Sequence, residues 1–427
     1  NNRSNLSFTI YLFAHDAGGY GDDGTENIIS CGSFNSTALT NLGWEPQWVM
    51  MKRIDSTSGW FMVDDIRGMT ASTNTTTYLG TSPYLYANSA QVETAGTGLI
   101  APAATGFGSG QSGTYIYIAI RRPMKTPEAG TEVFTPVHPS ASGTFTSISG
   151  FPTDFTMNKG TGAGDANYTG SRLQGVNAMQ PQTTAAEFSV GFAYDFMDRI
   201  TIAGSGNYSS WISWNFKRAT GFMDVVAYKG SGSATTQAHN LGVVPEMMIV
   251  KRRNATDLWP VYHATLGNTK YLQLNGDVAE AAWDGNWNNT TPTASVFSLG
   301  SGSYTNASSS TYVAYLFASA AGVSKVGSYT GTGSSLNVDC GFTGGARFIL
   351  IRRYNYPSGG SDWYVYDSTR GISALGTDDP YLFINTTAAQ VTNTDYVASL
   401  SAGFNVTSNA SSTINVNGGT YIFLAIA

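Results

Sequence analysis

Phe348-Ile349-Leu350-Ile351-Arg352-Arg353 is an apolar run ended by two bases. The same shape occurs at Met247-Met248-Ile249-Val250-Lys251-Arg252 and at Trp48-Val49-Met50-Met51-Lys52-Arg53. A strand with one solvated face alternates apolar and polar residues. A short uninterrupted run reads instead as a strand buried on both faces or at the centre of a sandwich. A glycine-containing turn precedes each run: LGWEPQ, LGVVPE and CGFTGGAR. The second and third runs lie one period of roughly 100 residues apart, the size of a sandwich domain. The first and second lie two such periods apart, so a weaker copy is expected between them. GFPTDFTMNKG (150–160) is that copy, with Lys159 in the place of Lys52.

Other anchors recur in step. A tryptophan leads GWFMVDDIRG (59–68), LWPVYHATLG (258–267) and DWYVYDSTRG (362–371). PYLYAN (83–88), KYLQLN (270–275) and PYLFIN (380–385) follow. Each unit closes with one motif: TYIYIAI (114–120), SWISWNF (210–216), TYVAYLF (311–317) and TYIFLAI (420–426). FTIYLFA (8–14) matches it too, so residues 1–14 read as the closing strand of a preceding unit or a linker, and a longer or processed polypeptide is expected. The four units are 15–122, 123–219 (diverged), 220–319 and 320–427. Their segments are short, aromatic and β-branched, and bounded by Gly, Ser, Asn and Pro, which is strand chemistry. The expected fold is all-β, with tandem β-sandwich (jelly-roll-like) units of about 100 residues. TTAAEF (183–188) and DVAEAAW (277–283) are expected to make at most a turn or two of helix.

Composition narrows the function. Charged residues make up 12% of the 427, about half the usual 25%. Aromatics at 13% argue against disorder. Net charge is −6 with no basic stripe, which excludes a typical nucleic-acid binder. No apolar run reaches the roughly 18 residues of a membrane span, so membrane insertion is not expected. Cys31 and Cys340 make no disulfide framework and are read as free and buried.

The four histidines, His15, His138, His239 and His263, show no metal-ligand spacing. The loop HDAGGYGDDGTEN (15–27) gathers Asp16, Asp22, Asp23 and Glu26, oxygen ligands of the kind calcium takes, without the EF-hand spacing. An acidic surface loop is the plainer reading. Asp64 and Asp65 are the acids a glycosidase reading would use, but neighbours on a strand point to opposite faces. The third unit has Tyr262-His263 at that place and the fourth Tyr366-Asp367. No catalytic residue and no cofactor is therefore assigned. Lys52, Lys251 and Arg352 read as strand-end charges that keep the strand exit in water. Trp60, Trp259 and Trp363 read as core. Trp283 and Trp287, in AAWDGNWNN, are the glycan-contact candidates.

One stretch carries a resemblance. GFMDVVAYKGSGSATTQAHNLGVVPEMMIVKRRNATDLWPVYHATLGNTKYLQLN (221–275) and TYVAYLFASAAGVSKVGSYTGTGSS (311–335) resemble a repeat of large structural proteins of tailed, often marine, bacteriophages. The matching pieces are Tyr228-Lys229-Gly230, His239 to Pro245, Met247 to Lys251, Trp259 to Tyr262, and Thr311 to Ala318. The likeness is closest in the third and fourth units, fair in the first and poor in 123–219. It implies a non-enzymatic component of the virion surface: a tail fibre, an appendage or a head-surface protein. Its implied partners are copies of itself and other virion proteins. A host surface glycan is the further candidate partner, which makes a lectin-like attachment module the alternative. A polysaccharide-cleaving tailspike and a secreted bacterial adhesin rank behind both.

Overall fold

The structure, a computed structural model, describes residues 9–21, 24–35, 39–71, 83–89, 100–110, 112–356, 361–372 and 376–427. It is all-β, built of antiparallel sheets, and one strand order recurs. In residues 29–121 the closing strand Thr114–Arg121 lies between Ile29–Asn35 and Pro46–Arg53, and Trp60–Asp64 and Leu85–Tyr86 extend the sheet. In the third unit Thr311–Phe317 lies between Met223–Lys229 and Met247–Arg252. In the fourth Thr420–Ile426 lies between Ser324–Thr330 and Phe348–Arg353. First and last strands are thus neighbours, as in a jelly roll. A smaller sheet covers one face of each, such as Leu336–Asp339, Gly403–Val406 and Val397–Leu400 in the fourth.

The 123–219 stretch has the same strand order although its sequence matches the other units only weakly. Trp211–Phe216 lies between Phe134–Val137 and Phe155–Gly160, with Asn167–Ser171 outside. Ser142–Ile148, Arg199–Asn207 and Phe192–Ala193 form its smaller sheet.

The turns before the apolar strands have a local cause. Gly43, Gly242 and Gly341 have φ of 76°, 77° and 72°, a left-handed conformation that a Cβ disfavours. The side chains of Asn41 and Asp339 accept from the amides of Gly43 and Gly341, both two residues on.

Neither expected helical turn forms. Residues 183–187 and 277–280 have no regular structure. The carbonyls of Thr183, Thr184, Gly276 and Val278 accept bonds from neighbouring units instead. Short helices occur elsewhere, at Asp284–Trp287 and Ser303–Asn306. Cys340 is buried, but Cys31 is only half-buried; both are free thiols.

Candidate functional site: a closed ring of sheets and an ionic joint

The apolar runs serve two cores at once. Ile349 and Ile351 face the fourth unit's own sandwich, with Tyr421, Phe423 and Ala425. Phe348 and Leu350 point the other way, into a core shared by three units. Met248 and Val250 against Met247 and Ile249 repeat this division in the third unit. The second unit contributes Phe134, Phe155, Met157, Trp214 and Phe216 to the shared core. Phe216 lies 6.0 Å from Phe317 and 5.9 Å from Phe348, so rings from three units meet there.

The polar seams around this core close a ring. Lys159 of the second unit donates to the Thr386 carbonyl of the fourth at 2.9 Å. Arg352 of the fourth donates to the Gly276 and Val278 carbonyls of the third, at 2.7 and 2.5 Å. Lys251 of the third donates to the Thr184 carbonyl of the second and to its own unit's Asp257 carbonyl, each at 3.0 Å. These cations are fully buried, which corrects the expectation that they keep strand ends in water. A buried charge is tolerated only when its donors find acceptors, and the next unit's main chain supplies them. Burial pushes the Lys159 and Lys251 ammoniums down to about 8, against partial opposition from Asp165 and Asp257 respectively. Trp259 and Trp363 are core, as expected, at 0% and 1% exposed. Their indole N–H groups donate across seams as well, to the Thr183 and Gln273 carbonyls at 2.9 Å each. Trp60 is only half-buried.

A second assembly of buried charge joins the first unit to this ring. Glu45 accepts two bonds from Arg218, which also reaches Asp224 at 2.7 Å. Asp154 accepts from Arg122 at 2.6 Å, from Arg172 at 3.2 Å and from the Arg218 amide at 2.8 Å. Arg122 holds Asp65 at 2.7 Å. Burial raises the Asp154 carboxyl, but Arg122, Arg172 and Arg218 together outweigh it and hold it below its ordinary value. For Asp65 burial prevails over Arg122 and Arg172, and its carboxyl is raised. Asp64 caps the Arg67 amide and pairs with its guanidinium, as Asp367 does with Arg370. The two neighbouring acids are thus held by separate arginines.

The remaining candidates fall at the periphery or in a core. Asp22 and Asp23 lie outside the described residues. Glu26 pairs with Arg121 at 2.9 Å and Asp16 lies 3.4 Å from the His15 ring. Among the described residues no group of three His, Cys, Asp or Glu side chains is placed to hold a metal ion. Trp287 is 1% exposed, donates to the Lys270 carbonyl and packs on Tyr262. That placement withdraws it as a glycan contact, because its faces are within the core. Trp283 is half-exposed and lies 4.7 Å from the Tyr304 ring. An open cleft of about 590 Å³ runs beside Glu26, Ile120, Arg121, Met124 and Lys125.

His263 gives the ring an acid limit. Burial pushes its imidazole down to about 4, with the Phe423 carbonyl of the fourth unit opposing. Its Nδ1 accepts from the Thr265 amide at 3.2 Å, which requires a lone pair there. An unfolded chain takes up this proton near the ordinary value of 6.5, while the folded chain does not until about 4. Stability should therefore fall as pH drops from 6.5 to 4, by about 3 kcal/mol. Denaturant titrations at both ends of that window should show the loss in the wild type and a smaller one in His263→Asn. Equal losses would remove His263 as the cause.

The chain belongs to the family whose model is described as a domain of unknown function (DUF7483), which matches residues 1–123 and 201–427. The intervening stretch is most of the second unit. No curated protein and no solved structure matches the chain.

Proposed function

We propose that this member of the DUF7483 family is a non-enzymatic structural protein on the exterior of a bacteriophage virion, as a tail fibre, an appendage or a head-surface protein. One observation carries the structural part of this reading. Buried cations and indole N–H groups at matching strand positions bond the main chain of the next unit, so the three sandwiches form one body. The buried charge of these seams holds units together. Such a body resists being pulled apart, which suits a particle component. The particle itself comes from the resemblance of residues 221–275 and 311–335 to repeats of tailed-phage proteins.

Quantitative mass spectrometry and immunogold labelling of purified particles test the reading. The expected result is a fixed number of chains per particle and label on the tail or shell. Recovery of the chain only from the soluble fraction of the lysate would overturn it.

A further inference from the structure

The face that closes the ring in three units is left partly exposed in the first. Strand register makes the equivalences explicit. Trp48, Met50 and Lys52 stand where Met247, Ile249 and Lys251, and Phe348, Leu350 and Arg352, stand. Ile116, Ile118 and Ile120 correspond to Val313, Tyr315 and Phe317, and to Ile422, Leu424 and Ile426. All twelve counterparts in the third and fourth units are buried, at most 4% exposed. In the first unit Trp48, Met50, Lys52, Ile118 and Ile120 are only half-buried, and Ile116 is 38% exposed. A contiguous apolar patch of this kind marks an interaction surface.

The polar anchors are in place too. Lys251 makes one bond within its unit and one to a neighbour. Lys52 makes the corresponding bond within its unit, to the Ser58 carbonyl at 2.5 Å. Trp60 stands at the register of Trp259 and Trp363, whose indoles donate across a seam. The ionic joint holds the first unit by Glu45, Asp65 and Arg122, none of which belongs to this face.

We propose that three copies of this chain assemble through this face of the first unit, in the arrangement by which the chain's other three units already pack. The stoichiometry follows from the ring: closure needs three such faces, and among the described residues each chain has one that is left partly exposed. Lys52 and Trp60 of each copy donate to the main chain of the next, as Lys251, Arg352, Trp259 and Trp363 donate across the seams of the ring. Identical subunits with a heterologous contact that closes at three form a cyclic trimer.

The test is the mass of the purified chain by light scattering at micromolar concentration. The expected value is three times 45.3 kDa. Ile116→Glu, at a site exposed in the single chain, should give a monomer with unchanged circular dichroism. A wild-type monomer would overturn the proposal; that is also the outcome if other repeats of a longer polypeptide cover the face. A dimer would overturn it, as would a trimer that survives Ile116→Glu. The wild-type mass stands whether or not the variant folds, and it does not depend on finding the chain in a virion.

Discussion

Asp154→Ala should destabilise the junction of the first three units by about 3–5 kcal/mol, the range for removing one partner of a buried ion pair. Asp154 is 1% exposed and is approached by Arg122, Arg172 and the Arg218 amide. Without it the joint keeps three guanidiniums against Glu45, Asp65 and Asp224, and none of these carboxylates reaches Arg172 with a side-chain bond. Arg172 and Arg122 would then face a low-dielectric site with one counter-ion lost. Denaturant unfolding followed by hydrogen exchange should show the loss first in residues 46–64 and 114–121, as the first unit separates. A uniform loss under 1 kcal/mol would mean that water enters and solvates the arginines. Acid titration is the weaker test. The Asp154 contribution is present above its ordinary value of 3.8 and is lost as pH falls through its lower folded value. Asp65 is shifted the other way, so the two partly cancel.

Trp363→Ala should cost about 3–5 kcal/mol, as for a fully buried large aromatic. The ring lies in the shared core with Phe348, Val365 and Leu382, and the Arg352 guanidinium sits 5.5 Å from its centre. Truncation removes the bond to the Gln273 carbonyl and leaves a cavity beside a buried cation. Burial already pushes the Arg352 guanidinium down to about 10, so loss of the ring that covers it adds to the cost. Because this seam joins the fourth unit to the third, exchange should rise in residues 270–273 as well as in 364–367. A rise confined to the fourth unit would mean that the seam contributes little to cohesion.

The joint and the ring are almost invisible in the sequence. Glu45, Asp154, Arg172, Arg218 and Asp224 share no spacing that marks them as partners and are scattered over the first three units. The likeness of the second unit is faint in the sequence because its strand Phe155–Gly160 alternates. Phe155 and Met157 enter the shared core, while Thr156 and Asn158 turn to a buried network with Ser213 and Asn215. Half of the apolar signal was therefore missing, although the strand order is the same. One signal for the ring was present: Lys52, Lys159, Lys251 and Arg352 share a register with the apolar residues two and four positions before them. A charge on an apolar face that is buried must find acceptors, and a single sheet face offers none.

The all-β class, most of the strands and the turn glycines were determined by the sequence alone, although residues 9–14, read as a closing strand or a linker, form no strand. These depend on side-chain alternation and backbone freedom within a few residues. Only the tertiary structure decided what covers the second apolar face. WVMMKR and FILIRR carry the same pattern, yet Phe348 is 0% exposed and Trp48 is half-buried. Burial of that face depends on whether another unit lies within reach, and local pattern has no information about distance.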